Sequence, residues 1–207
     1  MRKVALLFSA GVESSCLLFH YAQERELVLP VYVRFGFEWE STEYVHAQKL
    51  WLYLKKRFPN ILPPRVTFLK GVRKKGELEI PLRNFLLVSA IASTALKRGI
   101  KRIALGSLGA YPFPDNNRAY FDRLEELIST GIRDSFSIET PFMRLEKEDI
   151  VRRFYRRFPL NMTFSCIEPV KGMHCGRCIK CSERQEGFKR AGIEDPTLYV
   201  FSAPPES

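Results

Sequence analysis

The 207-residue chain has no apolar run that approaches the ~20 residues needed to span a bilayer. Met1-Arg2-Lys3 leads directly into a strand-like segment, so we expect no secretory signal. These two absences predict a cytoplasmic protein. Glutamine is scarce while arginine, lysine and glutamate are abundant, a bias that weakly favours a thermophilic origin.

The composition is that of an ordinary globular protein, with 45% hydrophobic and 13% aromatic residues. The length suffices for one α/β core with a small appendage. A formal net charge of +10 favours anionic ligands: a nucleotide, a nucleic acid or an acidic metabolite. The basic clusters lie at 55–57, 73–75, 152–153 and 156–157. We favour the simpler interpretation that they are solvated helix faces and loops.

Strand-like and helix-like segments alternate along the chain. A short apolar run that is followed by Ser and Gly predicts a buried parallel strand at 4–8. Further strands are predicted at 29–35, 65–69, 101–106 and 135–138. Apolar residues at helical spacing predict helices between them, from about 14, around 47–54, at 84–98, around 120–128 and at 146–158. This alternation predicts an α/β, Rossmann-like fold: a parallel five-stranded sheet with helices on both faces. We expect a nucleotide-binding domain at 1–158 and a packed C-terminal segment at 159–207.

Four of the five cysteines fall in the last fifth of the chain. Cys166, Cys175, Cys178 and Cys181 form a C-x8-C-x2-C-x2-C array, and Gly176 permits the tight turn that such a knuckle needs. Four thiolates with no open position are typical of a structural zinc site. An iron–sulfur cluster is the alternative. The fifth cysteine, Cys16, is interpreted as a small buried hydrophobe.

The stretch F-S-A-G-V-E-S-S at 8–15 follows the first predicted strand. A strand, a Ser/Gly-rich turn and a helix N-terminus form an anion site, because unpaired backbone N–H groups and the helix dipole favour phosphate. In a parallel sheet, ligands bind beyond the carboxyl ends of the strands. Ser9, Phe35-Gly36 and Gly106 all fall at predicted strand ends, as one shared site requires.

The loop and the cysteine tail together resemble the N-type ATP pyrophosphatases, whose loop reads S-G-G-x-D-S. Within them, the tail C-G-R-C-I-K-C-S-E-R-Q-E-G-F-K-R-A-G-I-E-D-P-T is similar to the ending of the 7-cyano-7-deazaguanine synthase family. I-P-L-R-N, E-T-P-F, K-E-D-I-V and P-L-N-M-T-F-S-C match in the family's order, at 80–84, 139–142, 147–151 and 159–166.

The resemblance implies an adenine nucleotide alpha hydrolase-like fold and an ATP-dependent ligase that uses ammonia to turn a deazaguanine carboxylate into a nitrile. It implies ATP, Mg²⁺ and Zn²⁺ as cofactors. The implied catalytic residues are Lys147, Glu13 and Asp115. The implied nucleotide-binding residues are Phe8, Ser9, Ala10, Gly11, Glu13, Ser14, Ser15, Arg83, Asn84 and Gly106, and the implied metal ligands are the four cysteines of the tail.

The chain departs from the family pattern in the loop and on the substrate side. Ala10 stands where the family has glycine, which strains the loop by roughly 1 kcal/mol only if that position needs positive φ. Glu13 stands where the family has aspartate. F-G-F-E-W at 35–39 and A-Y-P-F-P-D-N-N-R at 110–118 replace the family's substrate segments. Their aromatic residues are candidates for stacking on a planar base and equally for simple packing.

Three functions follow from these patterns: an ATP-dependent ligase of this family, a tRNA-modifying ATP pyrophosphatase that adenylates a base, and a non-catalytic nucleotide-binding paralogue. We favour the first, with a deazaguanine-like small molecule and ammonia as substrates. We do not favour a nucleic-acid partner, and we expect a homodimer with no membrane association.

Overall fold

The computed structural model describes residues 1–73, 76–111 and 113–201. Lys74 and Lys75 of the basic cluster and Pro112 of the predicted substrate segment lie outside the described residues. Within the described part the chain alternates strands and helices: β1 (Lys3–Leu7), α1 (Val12–Gln23), β2 (Leu27–Arg34), α2 (Glu40–Arg57), β3 (Arg65–Phe68), α3 (Arg83–Leu96), β4 (Arg102–Ala104), α4 (Arg118–Ile132), β5 (Ser137–Glu139), α5 (Lys147–Phe154) and α6 (Ile179–Ala191).

The five strands form one sheet in the order β3-β2-β1-β4-β5, and each neighbouring pair is parallel. The first three strands proceed outward from β1 in one direction, and β4 and β5 continue on its other side. The strand order therefore reverses between β1 and β4, and a ligand crevice is expected beyond the carboxyl ends of these two strands. The predicted five-stranded parallel sheet is confirmed.

Each face of the sheet carries its own apolar core, because alternate side chains of a strand point to opposite faces. Val4 and Leu6 of β1 belong to one core and Ala5 belongs to the other. Helices α1, α2, α5 and α6 contribute to the first core through residues such as Leu17, Leu50, Ile150 and Phe188. Helices α3 and α4 contribute to the second through residues such as Ile91 and Leu124. Helices thus cover both faces, as predicted.

The C-terminal segment packs into the same core as α1. Phe164 and Phe188 lie in that core. The fully buried side chain of Arg184 joins two parts of the C-terminal segment to each other. The Arg184 guanidinium pairs with Asp195 at 3.1 Å and donates to the Thr163 hydroxyl at 2.6 Å. The division at 158/159 stays a prediction, with one apolar core spanning that boundary.

Several element boundaries differ from the sequence prediction by a few residues. Helix α1 begins at Val12, directly after the loop, and α5 ends at Phe154 instead of 158. Residues 155–157 continue as turns, and the helix cannot extend past them because Phe158 precedes Pro159, and the residue before a proline is biased away from the helical region. No helix in the described residues is long and apolar enough to cross a bilayer.

Candidate active site and metal centre

A cavity of about 310 Å³ opens beyond the carboxyl ends of β1 and β4, at the reversal in strand order. Ser9, Phe35 and Gly106, which follow three different strands, all line it. Of the predicted nucleotide-binding residues, the cavity brings together Phe8, Ser9, Gly11, Glu13, Ser14, Arg83, Asn84 and Gly106. Ala10 and Ser15 are fully buried behind its wall.

The loop between β1 and α1 is held by its own serines. The Ser9 amide donates to the Ser14 hydroxyl at 3.2 Å, and that hydroxyl lies 3.2 Å from the Gly11 carbonyl to which it donates. Ala10 has φ +60°, in the left-handed region that favours glycine, and the Phe164 amide donates to its carbonyl at 2.7 Å. The position does need positive φ, so Ala10 strains this loop.

Gly106, at the end of β4, lets that strand approach the loop closely. A Cβ atom on Gly106 would lie 3.0 Å from the Glu13 carbonyl carbon and 3.2 Å from its oxygen. Such a contact is tighter than ordinary packing and falls on backbone, which cannot move without displacing the loop. A glycine at this position therefore keeps the two strand ends close on either side of the crevice.

Glu13 and Lys147 form an ion pair inside the cavity, with Lys147 Nζ 2.7 Å from Glu13 Oε1. Burial by itself would raise the pKa of Glu13, but the Lys147 ammonium outweighs it and lowers that pKa. Burial would lower the pKa of Lys147, and the Glu13 carboxylate reverses this and raises it. Both groups are charged near neutral pH, and α5 presents its first residue to the phosphate-type loop.

Gly187 of α6 makes room for the Lys147 stem. A Cβ atom on Gly187 would lie 2.6 Å from Lys147 Cγ and 2.7 Å from its Cδ. The methylenes of Lys147 therefore lie directly on the backbone of α6, which aims the ammonium at Glu13.

Asp115 acts on Asn84 at the start of α3. Its Oδ2 accepts from the Asn84 amide at 2.8 Å, and its Oδ1 accepts from Asn84 Nδ2 at 3.2 Å. Asn84 and the exposed Arg83 line the cavity. The structure thus places the predicted catalytic Asp115 against an N-terminal amide of α3, where it positions Asn84.

The wall that follows β2 is aromatic. Phe37 and Trp39 stack with ring centroids 4.3 Å apart at 17°, and both line the cavity together with Phe35 and Phe113. Glu40 holds this segment by accepting from the Phe35 amide at 2.7 Å and the Gly36 amide at 3.1 Å. This wall offers planar surfaces to a ligand.

Glu43 is a carboxyl on this side of the cavity whose pKa is raised to about 7. Desolvation is the main cause and the nearby Glu40 adds to it, while the Tyr32 hydroxyl, which donates at 2.5 Å, and Arg83 oppose it. Sequence reasoning missed Glu43 and Tyr32, because nothing in the motif pattern links a strand tyrosine to a helix carboxylate.

Two further charged residues that sequence reasoning missed, Lys180 and Glu183, line the cavity from the start of α6. Both oxygens of Glu183 lie 2.9 Å from Lys180 Nζ, and the Tyr111 hydroxyl donates to Glu183 at 3.3 Å. Both residues fall within or beside the cysteine array, and the spacing of that array predicts only metal binding and not their approach to the cavity.

The four predicted metal ligands come together. The Sγ atoms of Cys166, Cys175, Cys178 and Cys181 all lie within 4.8 Å of one another and are buried. Cys166 and Cys178 Sγ are 3.8 Å apart, and Cys175 and Cys181 Sγ are 3.9 Å apart. Backbone amides donate to these sulfurs, among them those of residues 175 and 178 at 3.3 Å. The cluster is suited to a metal ion.

Gly176 closes the turn between the second and third cysteines. It has φ +90°, and a Cβ atom there would lie 2.1 Å from the Phe201 carbonyl oxygen. His174 beside the cluster accepts from the Ser165 amide at 3.1 Å. The tight turn predicted at Gly176 is confirmed.

Two solved structures share the fold of this chain. A predicted subunit of a tRNA methyltransferase from Methanocaldococcus jannaschii superposes with a TM-score of 0.51 at 15% identity, over 94% of this chain and 90% of that one. A 4-thiouridine synthetase, solved with RNA and ATP, superposes with a TM-score of 0.50 at 16% identity, over 92% and 50%. At these identities the likeness establishes the fold alone.

Sequence comparison is more specific. The chain is 34% identical over 129 residues to the 7-cyano-7-deazaguanine synthase of Anaeromyxobacter dehalogenans, a match that covers 58% of this chain and 55% of that protein. It is 26% identical over 222 residues to the synthase of Nautilia profundicola, with 96% and 99% covered. The chain thus matches about half the length of the first relative and nearly all of the second.

The family model described as queuosine biosynthesis protein QueC matches residues 72–192. This range contains Lys147, the α3 N-terminus and all four cysteines of the metal cluster. The chain belongs to the QueC family.

Proposed function

We propose that this protein is an ATP-dependent ligase that forms carbon–nitrogen bonds, with 7-carboxy-7-deazaguanine or a closely related carboxylate as its acceptor. The observation that carries the proposal is the cavity at the strand-order reversal, where a serine-rich loop, the N-terminus of α1 and Lys147 face one space in a chain of this family.

The reaction runs in two activations. The acceptor carboxylate attacks ATP, pyrophosphate leaves, and ammonia displaces AMP to give an amide. The amide oxygen then attacks a second ATP with release of a second pyrophosphate, and loss of AMP and a proton leaves the nitrile.

The residues of this chain would act mainly on developing negative charge. The unpaired N-terminal amides of α1 and the Ser9 hydroxyl would donate to the pyrophosphate as it departs, and the Ser14 hydroxyl would do so after it leaves the Gly11 carbonyl. Lys147, whose ammonium is retained near neutral pH, would stabilise the same charge. Asp115 would keep Asn84 oriented at the nucleotide.

The charge of the cavity supports a requirement for Mg²⁺. Its described lining carries the carboxyl groups of Glu13, Glu40, Glu43 and Glu183, of which Glu43 is partly protonated near pH 7, against three cations, Arg83, Lys147 and Lys180. A triphosphate entering such a lining is not neutralised by the protein alone, and a divalent cation bound together with it would supply the missing charge. Glu13 is the carboxylate nearest the loop and would be the residue to hold that cation.

The cysteine cluster would hold Zn²⁺ in a structural role. A tetrahedral ion with Zn–S bonds of about 2.3 Å holds its four sulfurs about 3.8 Å apart, close to the 3.8 and 3.9 Å pairs here. An iron–sulfur cluster would hold its ligand sulfurs farther apart, because the iron atoms themselves intervene. The ion would tie the start of α6 to residue 166 and leave no open coordination position. Metal analysis of the purified protein tests this assignment.

A second candidate is the adenylation of a base in tRNA. The observation that favours it is the basic surface at the end of α5, where Arg152, Arg153, Arg156 and Arg157 are exposed and suited to a phosphate backbone.

One experiment separates the two functions. The protein is incubated with Mg·ATP and either 7-carboxy-7-deazaguanine with ammonia or unmodified tRNA, and release of AMP and pyrophosphate is measured. Release only with the carboxylate supports the ligase, and release only with tRNA supports the alternative.

A further inference from the structure

Lys180 is a charged residue of the cavity that the steps above leave unused. It lies between two of the cysteines, Cys178 and Cys181, at the start of α6, and it lines the cavity along with Lys147. The metal-binding segment therefore reaches into the site where the nucleotide is expected.

The position of the Lys180 ammonium is fixed by its neighbours. Glu183 holds it with both carboxylate oxygens at 2.9 Å, and the ring of Tyr111 lies 5.4 Å from Nζ. The backbone on either side is held by the cysteine cluster. A lysine side chain normally loses several rotamers when it binds a ligand, and this tether removes part of that entropic cost in advance.

A continuous chain of contacts leads from Lys180 to the phosphate-type loop. The Tyr111 hydroxyl donates to Glu183 at 3.3 Å and also interacts with Lys147, and Lys147 pairs with Glu13 at 2.7 Å. Lys180 is also close enough to Glu13 for its charge to help lower the pKa of that carboxyl. The ammonium groups of Lys147 and Lys180 thus both act on Glu13, in the first turn of the helix that follows the loop.

The Lys180 ammonium can take a phosphate ligand while it stays beside Glu183, because it has three N–H donors and Glu183 takes up two of them. Lys180 is 43% exposed and Glu183 is 28% exposed, so their ion pair is partly solvated and weak. A triphosphate offers a larger negative charge than one carboxylate, and a lysine ammonium binds phosphate as a compact point charge.

We propose that Lys180 binds a phosphate oxygen of ATP, so that the metal-bound segment supplies a residue of the nucleotide site as well as stabilising the fold. This inference rests on the proposed function, since it presupposes that ATP occupies the cavity.

The test is titration calorimetry of the full chain with magnesium and α,β-methylene-ATP, without an acceptor. Lys180→Met is expected to weaken binding about 10-fold, the size expected for loss of one charged contact that is partly solvated. Lys180→Arg is expected to bind within about threefold of wild type, because it keeps the charge. Lys49→Met, which removes an exposed lysine on α2, is the control and is expected to bind as wild type does. Metal content and melting temperature are measured for each variant.

Wild-type affinity in Lys180→Met would overturn the inference. So would unchanged nucleotide affinity with a raised KM for the carboxylate acceptor, since that would assign Lys180 to the acceptor. The inference would also be overturned if Lys180→Met lost metal and Lys180→Arg bound the nucleotide as weakly as Lys180→Met, because the loss of affinity would then come from damage to the fold. Failure of the wild type itself to bind the nucleotide is a separate result that refutes the proposed function.

Discussion

Gly187→Ala should separate the stability of this protein from its activity. Gly187 is a buried residue inside α6, and an added Cβ would lie 2.6 and 2.7 Å from Lys147 Cγ and Cδ. These atoms are the middle of the lysine stem, so the side chain cannot relieve the contact by moving only its end. We expect Lys147 to leave its place on α6 and its ammonium to lose the 2.7 Å contact with Glu13.

Two opposing effects set the change in stability. Alanine is favoured over glycine inside a helix by about 0.5–1 kcal/mol, whereas inserting a methyl into a packed site costs about 1–3 kcal/mol. The free energy of unfolding should therefore fall by no more than about 2.5 kcal/mol. Lys147 and Glu13 are 16% and 18% exposed, so water in the cavity can partly solvate the separated charges.

The effect on activity should be larger. Loss of a charged contact that acts on the departing pyrophosphate corresponds to about 10- to 100-fold in kcat/KM. The assay is AMP release under saturating Mg·ATP, combined with urea unfolding of the same samples.

Gly131→Ala is the matched control. Gly131 also lies inside a helix, α4, but a Cβ added there meets nothing within 4 Å. It should gain about 0.5–1 kcal/mol of stability and retain full activity. If Gly187→Ala behaved like Gly131→Ala in both measurements, the role assigned to the Lys147 stem would be wrong.

Three further changes test other parts of the account. Ala10→Gly relieves a left-handed alanine that costs about 1–2 kcal/mol, against an unfolded-state entropy term of about 0.4–1 kcal/mol. The free energy of unfolding in urea should therefore rise by between zero and about 1.6 kcal/mol. ATP affinity should be kept or raised, and a large loss of affinity would contradict the loop assignment. Cys175→Ser should lose bound metal and melt at a lower temperature, and full metal retention with normal melting would exclude a structural site. Glu43→Gln tests the carboxyl whose pKa rises from 4.5 to about 7 on folding. Because the folded ligand-free protein binds the extra proton, the free energy of unfolding of the wild type should fall as pH rises from 4.5 to about 7. A Glu43→Gln variant whose stability depends on pH in the same way would refute the assignment.

The sequence predicted the features that depend on local pattern. The alternation of apolar runs with helical segments predicts the five-stranded sheet, and a Ser/Gly turn after β1 predicts the loop at the cavity. The cysteine spacing predicts a cluster whose sulfurs lie within 4.8 Å in the structure. Each of these depends on residues close together in the chain.

Features that depend on packing between distant segments could not be predicted in this way. Whether Ala10 needs positive φ is decided by the contact of its carbonyl with the Phe164 amide, across more than 150 residues. Asp115 meets the amide of Asn84 from a segment 31 residues away, which turns a predicted catalytic group toward a helix terminus. The place of Lys180 in the cavity depends on how α6 packs against α5, and no spacing rule reports that packing.

The most direct test of the central claim is AMP and pyrophosphate release by the wild-type protein with Mg·ATP, ammonia and 7-carboxy-7-deazaguanine. The account predicts that release requires the carboxylate and that two AMP form for each nitrile, detected as 7-cyano-7-deazaguanine by mass spectrometry. Release that needs tRNA instead, or ATP binding without AMP formation in the presence of the carboxylate and ammonia, would contradict it.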